Sequence, residues 1–250
     1  VGWAPTRPSR EGIAVADLPE LAPLHDPVLI AAFEGWNDAG EAATAAVEHL
    51  VRVWSAHEVT ELDPEDYYDF QVNRPKVSLE DGRRSISWPA TRVFVARGVA
   101  SGRDAVLIVG IEPSTRWRSF VRELLGICEH LGVTTAVTLG ALLADVPHTR
   151  PIPVSMTSDS AGARRRFGAD VSEYQGPTGI VGVFTDALHH SGVTTISCWA
   201  AVPHYAGGPP SPKATLALLG RLEGLMGVAI PAGEVQEAAR AWEHKVDEMA

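Results

Sequence analysis

Apolar positions along this chain follow two periods, and the places where one period gives way to the other mark its elements. Val28–Phe33 is an unbroken apolar run of the kind buried on both faces of a parallel sheet. Ala43, Val47, Leu50, Val51 and Trp54 then recur at helical spacing, which predicts a helix over 40–55. Asp38 and Glu41, three apart just ahead of that stripe, have the spacing of a capping box and place the helix start.

Past Val59 the period shortens. Lys76–Leu79 and Ser85–Trp88 alternate in polarity around Asp81-Gly82, the signature of a hairpin turn, and 91–96 is a further strand-like run. A β-hairpin insertion around 73–96 follows from this. Strand and helix then alternate again: 104–110 reads as a strand, and Trp117, Phe120, Val121, Leu124, Leu125 and Cys128 lie on one helix. A strand over 134–139 precedes 145–168, a stretch so rich in Pro, Ser, Arg and Gly that a long surface excursion is expected.

The chain continues with a helix over 180–190, a strand over 194–201 and a helix over 212–226, the last opened by Ser211 as cap and Pro212 as first residue. Val235, Ala238, Ala239, Trp242 and Val246 define a terminal helix over 234–249, expected to continue into a tail. No repeat or linker divides 1–250, so the expected fold is a single α/β domain: a three-layer α/β/α sandwich on a mostly parallel sheet.

Composition narrows the function classes. A net charge of −10 argues against a phosphate-neutralising surface, and the one dense basic run, Arg164–Arg166, reads as a solvated helix end or loop; no nucleic-acid partner is expected. Cys128 and Cys198 are too few for a disulfide framework and sit in apolar segments, as buried thiols of a reducing cytoplasm do. Residues 1–25 lack a continuous apolar core, and no apolar run approaches a membrane span, so neither export nor insertion is expected.

In open α/β sheets, ligands collect beyond the carboxyl ends of the strands. The loops there are rich in polar groups: Glu34, Trp36, Asn37 and Asp38 after the first strand, Glu112 and Arg116 after the 104–110 strand, His148 and Arg150 after the next, and His204 and Tyr205 near the end. As a ligand cleft, Glu34 or Glu112 would be the general base, Arg116 or Arg150 the anion clamp, and His148 or His204 the proton shuttle. Each also has a plainer reading. Asp38 caps a helix, the histidines follow prolines in loops, and Trp36 and Trp117 pack under loops. Gly207-Gly208 either admits an anion to free amides or makes a tight turn.

No dinucleotide loop, phosphate loop, H-E-x-x-H, nucleophile elbow or paired C-x-x-C occurs, and His189 and His190 are adjacent on a helix end, so no cofactor and no metal site are expected.

Phe33-Glu-Gly-Trp-Asn-Asp-Ala-Gly40, Tyr67–Pro75, Gly110–Trp117 and Tyr174-Gln-Gly-Pro-Thr-Gly179 resemble the bacterial branch of the proteasome assembly chaperone (type two) family, over nearly the whole chain. The resemblance implies a phosphorylase/hydrolase-like α/β/α fold, a cytoplasmic setting and a homo-oligomer, with a trimer favoured. It also implies a non-catalytic protein-binding or assembly factor. The alternative is a small-molecule-binding protein or an enzyme of hydrolase, phosphorylase or carboxylate-amine ligase type using the strand-end cleft. Every assignment to that cleft requires the contributing strands to run in one direction.

Overall fold

A computed structural model describes residues 21–80, 82–206 and 208–248. The apolar-poor segment before residue 21, Asp81 of the predicted turn, Gly207 of the glycine pair and Met249 of the predicted terminal helix lie outside the described residues. In chain order the elements are β1 (Val28–Glu34), α1 (Ala42–Val53), β2 (His57–Glu61), α2 (Pro64–Tyr67), β3 (Lys76–Glu80), β4 (Arg83–Ser87), β5 (Arg92–Ala100), β6 (Arg103–Ile111) and α3 (Trp117–His130). They continue with β7 (Thr135–Ala144), β8 (Val154–Thr157), α4 (Ala161–Phe167), α5 (Ile180–His190), β9 (Thr194–Pro203), α6 (Pro212–Met226) and α7 (Gly233–Asp247).

The central sheet has seven strands in the order β2-β5-β6-β1-β7-β9-β8. β1 pairs parallel with both β6 and β7, and β7 pairs parallel with β9, so the strands bearing the predicted loops all point one way. β5 on one flank and β8 on the other run antiparallel to their inner neighbours. β1 is buried on both faces because its alternate residues feed two cores: Val28, Ile30 and Ala32 face the α1 and α6 layer, and Leu29, Ala31 and Phe33 face α3 and α5. Phe33 meets Phe120 and Phe184 edge to face, with ring centroids 5.8 and 6.1 Å apart. The α/β/α sandwich is thus the architecture that the apolar pattern predicts.

Three local differences stand out. The hairpin proper is β3–β4, a separate two-stranded sheet, while the run at 91–96 belongs to β5 and pairs with β6 in the central sheet. The 145–168 stretch is not a bare excursion, since β8 adds to the sheet edge and α4 is capped by the Ser160 hydroxyl at one end and left-handed Gly168 at the other. Finally, Ser211 precedes α6 but its enclosed hydroxyl makes no capping bond.

Candidate functional site at the carboxyl ends of the strands

The loop after β1 is built by its own residues. Gly35, at φ +116°, takes a conformation that side chains resist, and a Cβ there would press within 3.3 Å of Glu112. This turn exposes Trp36 and buries Asn37 and Asp38. The Asn37 side-chain amide donates to Glu112 Oε1 at 2.9 Å, and the Asn37 backbone carbonyl accepts the Ala141 amide at 2.8 Å, tying the loop to β7. Glu112 Oε1 also accepts the Ile180 amide at 2.8 Å. Glu112 therefore caps the start of α5, where Gly179 brings no side chain of its own. Gly179 has to be small as well, because a Cβ would lie 2.2 Å from Asn37 Nδ2.

Asp38 likewise serves a helix start. Its carboxylate accepts the Ala43 amide at 2.6 Å, the Thr44 amide at 3.2 Å and the Thr44 hydroxyl. The capping box is only half realised, because Glu41 sits in the left-handed region at φ 52° and makes no side-chain cap. Burial pushes the Asp38 carboxyl above its ordinary value, and the Thr44 and Ala43 hydrogen bonds pull the other way.

A second cluster gathers on the far side of β7. His148 is buried, and Tyr205 Oη lies 2.7 Å from its amide nitrogen and 2.8 Å from Nδ1. On the other side of the ring, Nε2 lies 2.7 Å from Asp247 Oδ1. Lys213 donates to the His148 carbonyl and, at 2.7 Å, to Glu243. Asp247 and Glu243 both belong to α7, so this cluster fastens that helix to the rim.

The remaining predicted side chains stand apart. Arg116, left-handed at φ 53° ahead of α3, pairs with Asp66 and lies over the Tyr67 ring. Arg150 and His204 are exposed, His204 touching the Tyr205 ring edge to face. Burial, then repulsion from Glu41 and Glu48, pushes the Glu34 carboxyl up, while Lys76 opposes the shift. The predicted residues thus share one rim but divide into the Asn37–Glu112 and His148–Tyr205 groups, with the end of β7 between them. A shallow groove of about 390 Å³ beside α6, lined by Ile152, Val154, Leu216 and Ala217 among others, includes none of them. Among the described residues, no cluster of three or more His, Cys, Asp or Glu has metal-binding geometry. No described helix is long and apolar enough to cross a membrane.

The rim also offers large apolar side chains to solvent. Trp36, Leu142 and Leu143 at the end of β7, Tyr174 on the loop leading into α5, and Tyr205 are between 45% and 66% exposed. Of these, sequence reasoning singled out Trp36 and Tyr205. It passed over Leu142 and Leu143, which continue an apolar strand, and over Lys213 and Asp247, which meet His148 only through the fold.

Fold and rim together define a class: an α/β/α sandwich on a mixed seven-stranded sheet, whose buried rim groups are bonded to the fold itself. The model of the PAC2 family matches residues 32–250, and the chain belongs to that family. It is similar to a PAC2 family protein from Streptomyces avermitilis, with 55% identity over 90% of this chain and 96% of that one and a TM-score of 0.84. A Mycobacterium tuberculosis proteasome-assembly chaperone homologue shares 50% identity over 88% of this chain and 94% of its own, with a TM-score of 0.80. The Pyrococcus furiosus archaeal proteasome activator PbaB shares the fold, with 16% identity over 93% of this chain and 96% of its own and a TM-score of 0.75. No match was found among curated proteins.

Proposed function

We propose that this chain is a non-catalytic protein-binding factor of assembly-chaperone type. It acts in the cytoplasm as a homo-oligomer, with a trimer as the favoured arrangement, and engages unassembled proteasome core subunits through its rim. The observation that carries this reading is the division of labour at the strand ends. Glu112, Asp38 and His148 are committed to helix starts and to α7, while Leu142, Leu143 and Tyr205 face solvent. Adjacent exposed apolar side chains rimmed by polar groups mark a protein-binding surface. The relatives described as a proteasome-assembly chaperone homologue and an archaeal proteasome activator support the choice of client. The buried, reduced Cys128 and Cys198 fit the cytoplasm.

Titration of purified, unassembled proteasome core subunits against the wild-type chain tests this. Binding is expected, and Leu143→Asp is expected to weaken it by about tenfold or more, as for a residue central to an interface. Absence of binding, or equal binding by the variant, contradicts the proposal.

A further inference from the structure

Between β1 and β7 the order of the sheet reverses: β1 leads through α1 to β2 at one edge, and β7 leads to β8 at the other. The crevice at such a reversal is where open α/β sheets take ligands. Here the chain closes it. β1 and β7 pair from Val28 and Thr135 to Ala31 and Thr138 and then part, and the 35–38 turn rejoins β7 where Asp38 bridges to Ala141. Asn37, 2% exposed, is bonded into the gap through Glu112 and Ala141.

β7 runs on past this plug. On one side Leu142, Leu143 and Ala144 pair with Ala201, Val202 and Pro203 of β9. The Ala141 amide points away from β9, to the Asn37 carbonyl. A strand repeats every two residues, so the amide and carbonyl of Leu143 point the same way. Among the described residues, neither group has a hydrogen-bond partner. Unpaired main-chain groups at the end of a strand are a template for a further strand.

The neighbouring side chains define what that strand carries. Leu143, 55% exposed, lies on the face of β7 that holds Val137, Leu139 and Ala141 against α1 and α6. On the side that the unpaired groups face, the 34–41 segment presents exposed Glu34, Trp36 and Glu41, and exposed Asp145 follows β7 directly. Burial, then repulsion from Glu41 and Glu48, pushes the Glu34 carboxyl up against the opposing influence of Lys76, so added positive charge is favourable there. Exposed Arg150 and His204 belong instead to the loops that lead to β8 and from β9.

We infer that an extended segment of the partner protein, apolar at alternate positions and bearing a lysine or arginine, adds to the sheet at Leu143. Its main chain bonds the Leu143 amide and carbonyl, and its basic side chain settles among Glu34, Glu41 and Asp145. The inference rests on the rim as a protein-binding surface and specifies how that surface holds its partner.

Fluorescence anisotropy of a labelled ten-residue peptide that alternates valine with lysine and threonine, titrated with the full chain, is the test. Saturable binding that weakens as salt rises is expected. The same peptide with its backbone N-methylated throughout keeps every side chain and charge, and is expected to lose binding by about tenfold or more. Leu143→Pro removes the amide proton that faces away from β9 and leaves the β9 pairing intact, so it is expected to melt like the wild type and to bind about tenfold more weakly. Glu34→Gln with Glu41→Gln is expected to weaken binding and flatten its salt dependence. In hydrogen–deuterium exchange the Leu143 amide is expected to exchange fast in the free chain and slowly with the peptide. No binding by the wild type, equal binding of the N-methylated peptide, a Leu143→Pro chain that binds as well as the wild type, or a Leu143 amide already protected in the free chain by the chain's own residues overturns the inference. Core subunits that bind the rim while this peptide does not leave the protein-binding reading standing without the added strand. A peptide that binds while the subunits do not removes the choice of client and supports the strand.

Discussion

Asp38 shows how a residue attractive as chemistry is explained by structure. Its carboxylate receives two amides and a hydroxyl at the start of α1, and removing such a cap costs about 1–2 kcal/mol. Asp38→Ala is therefore expected to lower unfolding free energy by that amount in denaturant melts. Its pH dependence has a fixed sign. The folded-state value lies above the ordinary 3.8, so between the two values the folded chain holds a proton that the unfolded chain has lost, and stability falls as pH rises through that window. Measured against Asp38→Asn, which cannot titrate there, the wild type should lose ground across that interval and run level above it. A wild type that gains ground would show the carboxyl to be depressed instead. Glu112 makes the same point more sharply. Glu112→Ala strands the buried Asn37 amide and the Ile180 amide, with an expected loss of roughly 1–3 kcal/mol. The Asp38 cap was legible because cap and helix are neighbours in sequence. Glu112 capping a helix 68 residues away was not, since no local pattern records that pairing.

At the scale of elements, the long periodic runs were legible and the short edge pieces were not. β1, β6, α3 and α6 each carry enough apolar positions to declare their period. β2 and β8, of five and four residues, are sheet edges with half-exposed or exposed positions, so no alternation stands out. α4 left a faint signal in Ser160 and Gly168, hidden by the surrounding Pro and Arg. The terminal helix α7 was legible as an amphipathic stripe, but its attachment was not. It is fastened by His148–Asp247 and Lys213–Glu243. Lys213→Ala is expected to raise amide exchange within 233–247 by about tenfold, the effect of losing a partly buried charged hydrogen bond worth ~1.5 kcal/mol. Exchange confined to its wild-type rate would show that the Lys213–Glu243 contact does not hold the helix.

For the whole molecule, parallel β1, β6, β7 and β9 collect all of the predicted loops on one rim, as the sequence pattern requires. The rim then divides its residues by burial: Asn37, Asp38 and His148 turn inward to complete helix starts and fasten α7, and large apolar groups are left outside beside exposed Arg150 and His204. Under the proposed function, that division makes the rim a surface for another protein. Hydrogen–deuterium exchange of the full chain, with and without unassembled proteasome core subunits, tests this most directly. Slowed exchange at 36–38, 141–144 and 204–206 on adding the subunits is the expected result. Unchanged exchange at these segments under conditions where the subunits are bound elsewhere on the chain, or not bound at all, would contradict it.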